Sequence, residues 1–276
     1  ILFTSGSTGP AKGVRYTHGV FDAQTDHIQS MYGIQAGEID LPCFPLFGLF
    51  SLAMGMTVVI PEMDPTKPAK ADPKILVKTI KKYGVTNAFA SPALWKPFAR
   101  YCITQAIELP TLNRILSAGA PIPPALHADF QHILKEGSEV HTPYGATESL
   151  PVASIGSMEV LTETGRLTDT GKGTCVGTLA PNMAVKIIEI TDDPIENWTQ
   201  ASELPQGQIG EICVFGPVVT TEYKEEPQQT KQAKIKSETG EIWHRMGDIG
   251  YFDDRGRLWF CGRKSHRVQT ATGVLY

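Results

Sequence analysis

The 276-residue chain is 41% hydrophobic, enough to bury one large core or two ordinary ones, and its formal net charge of -4 without an extended basic tract excludes a nucleic-acid polyanion as the main partner. Its longest nearly apolar run, Leu46 to Ile60, is interrupted by Gly48, Ser51, Gly55 and Thr57. That run falls short of the roughly 20 residues that cross a bilayer, and no signal-peptide pattern precedes it. The five cysteines, Cys43, Cys102, Cys175, Cys213 and Cys261, are odd in number and far apart. They suit a reducing, cytoplasmic setting rather than a disulfide framework or a C-x-x-C metal site.

The first element is a three-residue apolar start, Ile1-Leu2-Phe3, followed by TSGSTGPAKG from Thr4 to Gly13. Four small hydroxyl residues, three glycines and one lysine within ten positions can bring backbone N–H groups and side-chain donors against phosphoryl oxygens. It is not a Walker A loop, since G-x-x-x-x-G-K-[ST] is absent. A flexible surface turn is the plain alternative for this segment taken alone. A phosphate loop closes the end of a strand, so a start only three residues earlier leads to the expectation that the sequence begins inside a domain.

Thr17 then caps an expected helix reaching about Met31. Val58 to Ile60 reads as a buried strand, Asp72 to Tyr83 as an amphipathic helix broken at Gly84, and Val85 to Ala90 as the next strand. Ala93 to Ala106 has a helical pattern, Arg114 to Ser117 is strand-like, and a proline near its first turn opens a helix from Pro124 to Leu134. Strand and helix alternating over more than 100 residues predict an α/β layered domain with a mostly parallel sheet, with ligand loops at the carboxyl ends of its strands. After about Leu150 the pattern turns β-rich. Val185 to Ile190, Gly210 to Phe215, Gly250 to Phe252 and Leu258 to Cys261 read as strands separated by glycine-containing turns. The charged stretch Lys224 to Lys236 reads as an exposed loop or helix.

Several short segments carry candidate chemistry. In Ser117-Ala118-Gly119-Ala120-Pro121, the small residues Gly119 and Ala120 allow a flat aromatic base to approach the backbone. Tyr144-Gly145-Ala146-Thr147-Glu148 offers an aromatic face, a hydroxyl and a carboxylate suited to base packing, phosphate or carboxylate contact, and Mg2+ coordination. A strand-end turn with a core tyrosine is the alternative. Asp248 can accept from two neighbouring hydroxyl donors, and Arg263 has a donor fork that reaches ribose or an anionic oxygen; a solvated turn and a solvated linker are the alternatives for these two.

The order of TSGSTGPAKG at 4–13, FPLF at 44–47, SAGAP at 117–121, YGATE at 144–148, HRMGD at 244–248 and GRK at 262–264 resembles the AMP-forming adenylation superfamily of acyl-CoA synthetases, luciferases and peptide-synthetase adenylation domains. The resemblance implies part of a large domain: an α/β nucleotide- and acyl-binding region at 1–150, a β-rich remainder at 151–261, and at 262–276 a hinge leading to a small C-terminal domain that carries a catalytic lysine. No lysine of this chain takes that role. By the same resemblance Thr4, Ser5, Ser7, Thr8 and Lys12 form the phosphate loop, and Gly119, Ala120 and Tyr144 the adenine pocket. Thr147 contacts phosphate or substrate carboxylate, Glu148 places Mg2+, and Asp248 and Arg263 engage ribose. Lys12, Thr147 and Glu148 are the implied catalytic residues, and ATP and Mg2+ the implied cofactors.

More narrowly, residues 40–73, 142–153 and 260–276 resemble the β-lactone synthetase (OleC) branch of bacterial long-chain olefin synthesis. This implies adenylation of a long-chain 2-alkyl-3-hydroxyalkanoic acid, closure by the substrate's own hydroxyl, and olefin-biosynthesis enzymes as partners. The alternative is a long-chain fatty-acyl-CoA ligase using CoA. Gly48 departs from the histidine that many acyl-CoA synthetases carry after FPLF, and Ser265, Gln269 and Gly273 depart from the usual hinge. Leu46, Phe47, Leu49, Phe50, Leu52 and Met54 fit either an acyl passage or core packing.

Overall fold

In the computed structural model, which describes residues 1–4, 10–271 and 273–275, proline opens three successive helices, Pro73–Tyr83, Pro92–Thr104 and Pro124–Gln131. Its missing N–H costs nothing in the first turn, where no intrahelical acceptor exists. The first of them is also closed at both ends. The Asp72 side chain accepts from Lys74 N at 2.9 Å, and Gly84 takes the left-handed conformation at φ 62°, which glycine adopts without steric penalty. Upstream, Thr17 Oγ1 accepts from Val20 N at 3.2 Å and starts helix His18–Tyr32, as expected.

The chain is α/β and divides into two units interleaved in sequence: Ile28–Pro143 with Ile155–Arg166, and Ile1–His27 with Tyr144–Ser154 and Leu167–Tyr276. Beside the expected regions 1–150, 151–261 and 262–276, the latter unit draws on all three. The first-named unit carries parallel strands in the order Thr57–Val58, Ile39–Pro42, Asn87–Ala90, Arg114–Ser117 and the start of Glu139–Ala146. Its core is built on Leu76, Ile80, Leu94, Trp95, Phe98, Ile115 and Phe130. The Trp95 ring meets Phe98 and Phe130 edge-on at centroid distances of 5.4 and 5.7 Å, the geometry that the ring quadrupoles favour. The strand expected at Val58 to Ile60 is instead Thr57–Val58, on the sheet edge, and Ile60 is 55% exposed. With a neighbour on one side only, the apolar run pairs briefly and leaves the sheet.

The other unit is antiparallel, in the order Ala184–Ile188, Gly210–Phe215, Ile242–Phe252, Leu258–Arg263 and Thr174–Leu179, with Ala153 and Ser154 paired to the last strand. The strand expected at Gly250 to Phe252 starts earlier, at Ile242. Charged residues concealed it: Arg245 is buried and bonds Glu211 Oε2 through Nη2 at 2.6 Å, and Lys264 Nζ reaches the same carboxylate at 3.0 Å. Ions paired inside a sheet erase the apolar–polar alternation by which strands are recognised. Among the described residues no helix is long and apolar enough to cross a membrane.

Truncating Phe98, which has no solvent exposure, removes both its buried area and one partner of Trp95. Phe98→Ala is therefore expected to lower the unfolding free energy by about 3–5 kcal/mol, measured by urea denaturation.

Candidate nucleotide site

The glycine-rich loop is carried by a small hairpin in which Leu2 and Phe3 pair antiparallel with Val14 and Gly13. Thr4 and Lys12 close its base: Thr4 N donates to Lys12 O, and Lys12 N donates to Thr4 Oγ1, both at 3.0 Å. The other expected loop residues, Ser5, Ser7 and Thr8, lie outside the described residues. The returning strand has a second neighbour. Lys224 N donates to Gly13 O at 2.7 Å and Arg15 N to Glu222 O at 3.2 Å, so residues 222–224 are held alongside 13–15. This places Tyr223 under the loop lysine, with Lys12 Nζ 4.6 Å from the Tyr223 ring centroid, a cation–π contact.

Tyr144-Gly145-Ala146-Thr147-Glu148 forms the end of strand Glu139–Ala146 and the turn into Ser149–Gly156. Gly145 is required by close approach: a Cβ there would lie 2.5 Å from Ser149 O and 2.8 Å from Leu150 Cδ1. The turn is fixed from both sides. Tyr16 OH donates to Thr147 O at 2.7 Å; Thr220 donates to Glu148 O through both N, at 2.9 Å, and Oγ1, at 3.0 Å. The Glu148 carboxylate is buried, and Tyr223 OH donates to its Oε1 at 2.5 Å.

Asp248 and Arg263 are cross-strand partners on Ile242–Phe252 and Leu258–Arg263. Tyr144 OH donates to Asp248 Oδ2 at 2.7 Å. Arg263 Nε stands 3.1 Å from Oδ1, near enough for an ion pair but without hydrogen-bond alignment, so Oδ1 is a buried acceptor with no hydrogen bond among the described residues. Burial raises the Asp248 carboxyl to about 6, against the opposing pull of Arg263 and Tyr144. Burial, with the Asp248 charge second, also pushes the Tyr144 phenol well above its ordinary value and keeps it a donor.

Lys12, Tyr144, Thr147, Glu148, Asp248 and Arg263 thus all belong to the antiparallel unit, together with Thr4. Gly119 and Ala120 belong to the parallel unit, exposed just past the carboxyl end of Arg114–Ser117, with Gly119 at φ 92°. Three residues of the site were not expected from the sequence: Thr220, Tyr223 and Lys234. The stretch Lys224 to Lys236, read as exposed, contains a surface helix, Pro227–Ala233, but then turns inward. Lys234 is 7% exposed, because it lies in strand Lys234–Lys236 paired with Ile242–His244. Its Nζ donates to Thr220 O at 2.5 Å, and burial draws its ammonium down to about 7. A lysine spacing has no signature for this; the only available signal was the apolar Ile235 beside it.

The residues fit a nucleotide with a metal ion. The unfilled acceptor on buried Asp248, beside an arginine, suits a ribose hydroxyl. Glu148, whose carboxylate is hydrogen-bonded at Oε1 alone among the described residues, and the partly buried Lys12 suit a hard cation and a polyphosphate respectively.

The model of the AMP-binding enzyme family matches residues 1–224. Over 280 aligned residues the chain is 49% identical to the olefin β-lactone synthetase of Stenotrophomonas maltophilia and 47% identical to that of Xanthomonas campestris, in each case with 100% of this chain and 50% of the relative covered. The chain therefore spans about half the length of these curated relatives. Its fold is similar to that of O-succinylbenzoate coenzyme A synthetase from Bacillus subtilis in complex with AMP, with a TM-score of 0.77 at 23% identity over 100% of this chain and 51% of that one. With its motifs in order and a family match over most of its length, the chain belongs to the AMP-binding enzyme family.

Proposed function

We propose that the protein activates a long-chain 2-alkyl-3-hydroxyalkanoic acid by ATP-dependent adenylation and closes it to a β-lactone. The observation that carries the nucleotide half is the buried Asp248, with its unfilled oxygen beside Arg263, in the same unit as Glu148 and Lys12. The choice of a lactone over a thioester is supported by the full-chain identity to two olefin β-lactone synthetases.

Asp248 accepts from ribose hydroxyls, and Arg263 donates beside it. Tyr144 packs the adenine and holds Asp248; in the parallel unit, Gly119 and Ala120 expose backbone without bulk, as the motif order assigns them to the base. Lys12 and the hydroxyls of Thr4, Ser5, Ser7 and Thr8 bind the phosphates. Thr147 orients the reacting phosphate or carboxylate, and Glu148 holds Mg2+. When bound, Mg2+ withdraws charge from the phosphate oxygens so that an anionic carboxylate can approach. A carboxylate needs alignment and neutralisation more than a general base, which is what these side chains supply.

In the overall reaction, a carboxylate oxygen bonds to the α-phosphorus as pyrophosphate leaves. The substrate's 3-hydroxyl oxygen then bonds to the activated carbonyl carbon, AMP leaves with the C–O electron pair, and the hydroxyl proton passes to solvent. Holding both groups in one molecule offsets the strain of the four-membered ring. In this reading, 1–150 binds nucleotide and acyl group, 151–261 completes the large domain, and 262–276 leads to a small catalytic domain; the protein is cytoplasmic and works with olefin-biosynthesis enzymes.

The product test uses the full-length protein with Mg-ATP and a 2-alkyl-3-hydroxyalkanoate, with and without CoA. A product lighter than the acid by one water, formed in both reactions, is expected by mass spectrometry. A product that forms only with CoA, with a thioester mass, would replace this reading with acyl-CoA ligation.

A pH series tests the ribose contact. The raised Asp248 carboxyl makes nucleotide affinity rise with pH through about 6, as the acceptor form fills, and level off above that. Stability runs the other way. A carboxyl held above its unfolded value near 4 contributes most below that value and loses the contribution as pH climbs through about 6. Asp248→Asn is expected to weaken AMP binding by about tenfold at pH 7.5, the loss of one charge-assisted hydrogen bond, and to flatten both profiles in calorimetry.

A further inference from the structure

Lys234 is an expensive residue to bury: it is 7% exposed, and no carboxylate is within ion-pair distance of it among the described residues. A buried ammonium is tolerated where its protons are used, and here two of its contacts go to one residue. Nζ donates to Thr220 O at 2.5 Å and approaches Thr220 Oγ1 at 3.4 Å. Thr220 in turn makes a double contact. Its N and Oγ1 both donate to the backbone carbonyl of Glu148, at 2.9 and 3.0 Å. The Glu148 side chain is then tethered once more, by Tyr223 OH, three residues after Thr220.

The geometry points to Lys234 as a positioning residue for the Mg2+-binding carboxylate of Glu148, acting through Thr220. This rests on the proposed role of Glu148. Lys234 sits on strand Lys234–Lys236, and Thr220 on an irregular stretch between Phe215 and Tyr223 that has no strand of its own to hold it. Without the ammonium, the Thr220 carbonyl is a buried acceptor lacking its donor, and the loop that aims Glu148 keeps its bonds at residues 222–224 but loses its tie to strand Lys234–Lys236. Tyr223 then fixes one carboxylate oxygen relative to a turn that is still held by Tyr16 but is less firmly set on its Thr220 side. Partners of this kind orient metal ligands, and their loss costs about 10–100-fold in metal affinity. The long-range fields are consistent with it: the Glu148 charge acts to raise the Lys234 ammonium and Lys12 to lower it, so the three groups share one electrostatic neighbourhood.

The experiment measures, by isothermal titration calorimetry on the full-length protein, how much Mg2+ improves ATP affinity, with AMP affinity in EDTA as the control for the Tyr144 and Asp248 end of the site. Lys234→Met keeps the length of the side chain and removes its donors. It is expected to cut the Mg2+-dependent gain by about tenfold while AMP affinity holds. Thr220→Val, which loses the hydroxyl but not the shape, shifts the same quantity in the same direction, and Thr220→Ser restores it. Equal losses of AMP and Mg2+-dependent binding would make the contact merely structural and overturn the proposal, as would an unchanged Mg2+ gain in either folded variant. If Lys234→Met does not fold, the Thr220 pair decides. Glu148→Gln separates the two levels: a Mg2+ gain that survives it removes Glu148 from the metal site, whatever Lys234 does.

Discussion

Besides Glu211, which Arg245 and Lys264 neutralise, the antiparallel unit withdraws Asp248 and Glu148 from water, and a single tyrosine hydroxyl hydrogen-bonds each of them. Tyr144 holds Asp248 by Oδ2, and Tyr223 holds Glu148 by Oε1. The remaining geometry depends on this arrangement. A buried carboxylate with all its acceptor sites filled by protein would be stable and inert, whereas one with none filled would take up a proton. One hydrogen-bond donor each leaves the groups oriented, and at Asp248 the Oδ1 atom, ion-paired with Arg263, still has no hydrogen bond among the described residues. Burial raises the Asp248 carboxyl to about 6 against the pull of Arg263 and Tyr144; a ligand that donates to Oδ1 recovers part of the desolvation cost as binding free energy.

Two tyrosines far apart in sequence reach these acids because the backbone is braced between them. Residues 13–15 bond to 222–224, which sets Tyr223 beneath the loop lysine. Tyr16, just beyond, reaches the carbonyl of Thr147, so the same short segment touches the turn that bears Glu148. At the other acid, strand register does the work: Asp248 and Arg263 are directly opposed, and Glu211 binds both Arg245, three residues before Asp248, and Lys264, next to Arg263. Lys264 neighbours Arg263 in the chain. Its bond to Glu211 limits how far the arginine can drift from Asp248.

Local rules made much of this legible in the sequence. Helix ends follow from Thr17, Asp72 and Gly84 because capping is a matter of a few adjacent residues, and Arg114–Ser117 and Gly210–Phe215 were readable from the short apolar runs Ile115-Leu116 and Ile212-Cys213-Val214-Phe215. Motif residues such as Glu148 and Asp248 stand out by type and order. Thr220, Tyr223 and Lys234 do not, since their roles come from contacts with segments about 70 residues away or from a strand that turns inward after a polar helix. Burial of a lysine is decided by tertiary acceptors, which no local pattern encodes. The long strand Ile242–Phe252 was obscured for the same reason, its arginine being neutralised by a glutamate on the neighbouring strand.

The parallel unit poses a different constraint, at the segment that follows Phe44–Phe47. Helix Gly48–Ala53 follows FPLF, and Gly48 is buried there: a Cβ would stand 3.2 Å from Val58 Cγ1 and 3.3 Å from Pro42 Cγ. Both distances are tighter than ordinary side-chain packing, and both neighbours lie on or next to strands, so neither yields freely. A side chain at 48, such as the histidine that many acyl-CoA synthetases carry after FPLF, would thus press on both neighbours. The flanking side chains divide accordingly. Phe50 and Met54 are buried, while Leu49 and Leu52 are 53% and 59% exposed, so the helix contributes to the core on one side and offers an apolar surface on the other. A glycine that permits close packing and leucines that face outward give this segment an apolar character with no acid–base group among them. On its inner side Ser51 Oγ donates to the buried Asp40 carboxylate at 2.6 Å, so a polar bond ties the helix to strand Ile39–Pro42 while its outer face stays apolar.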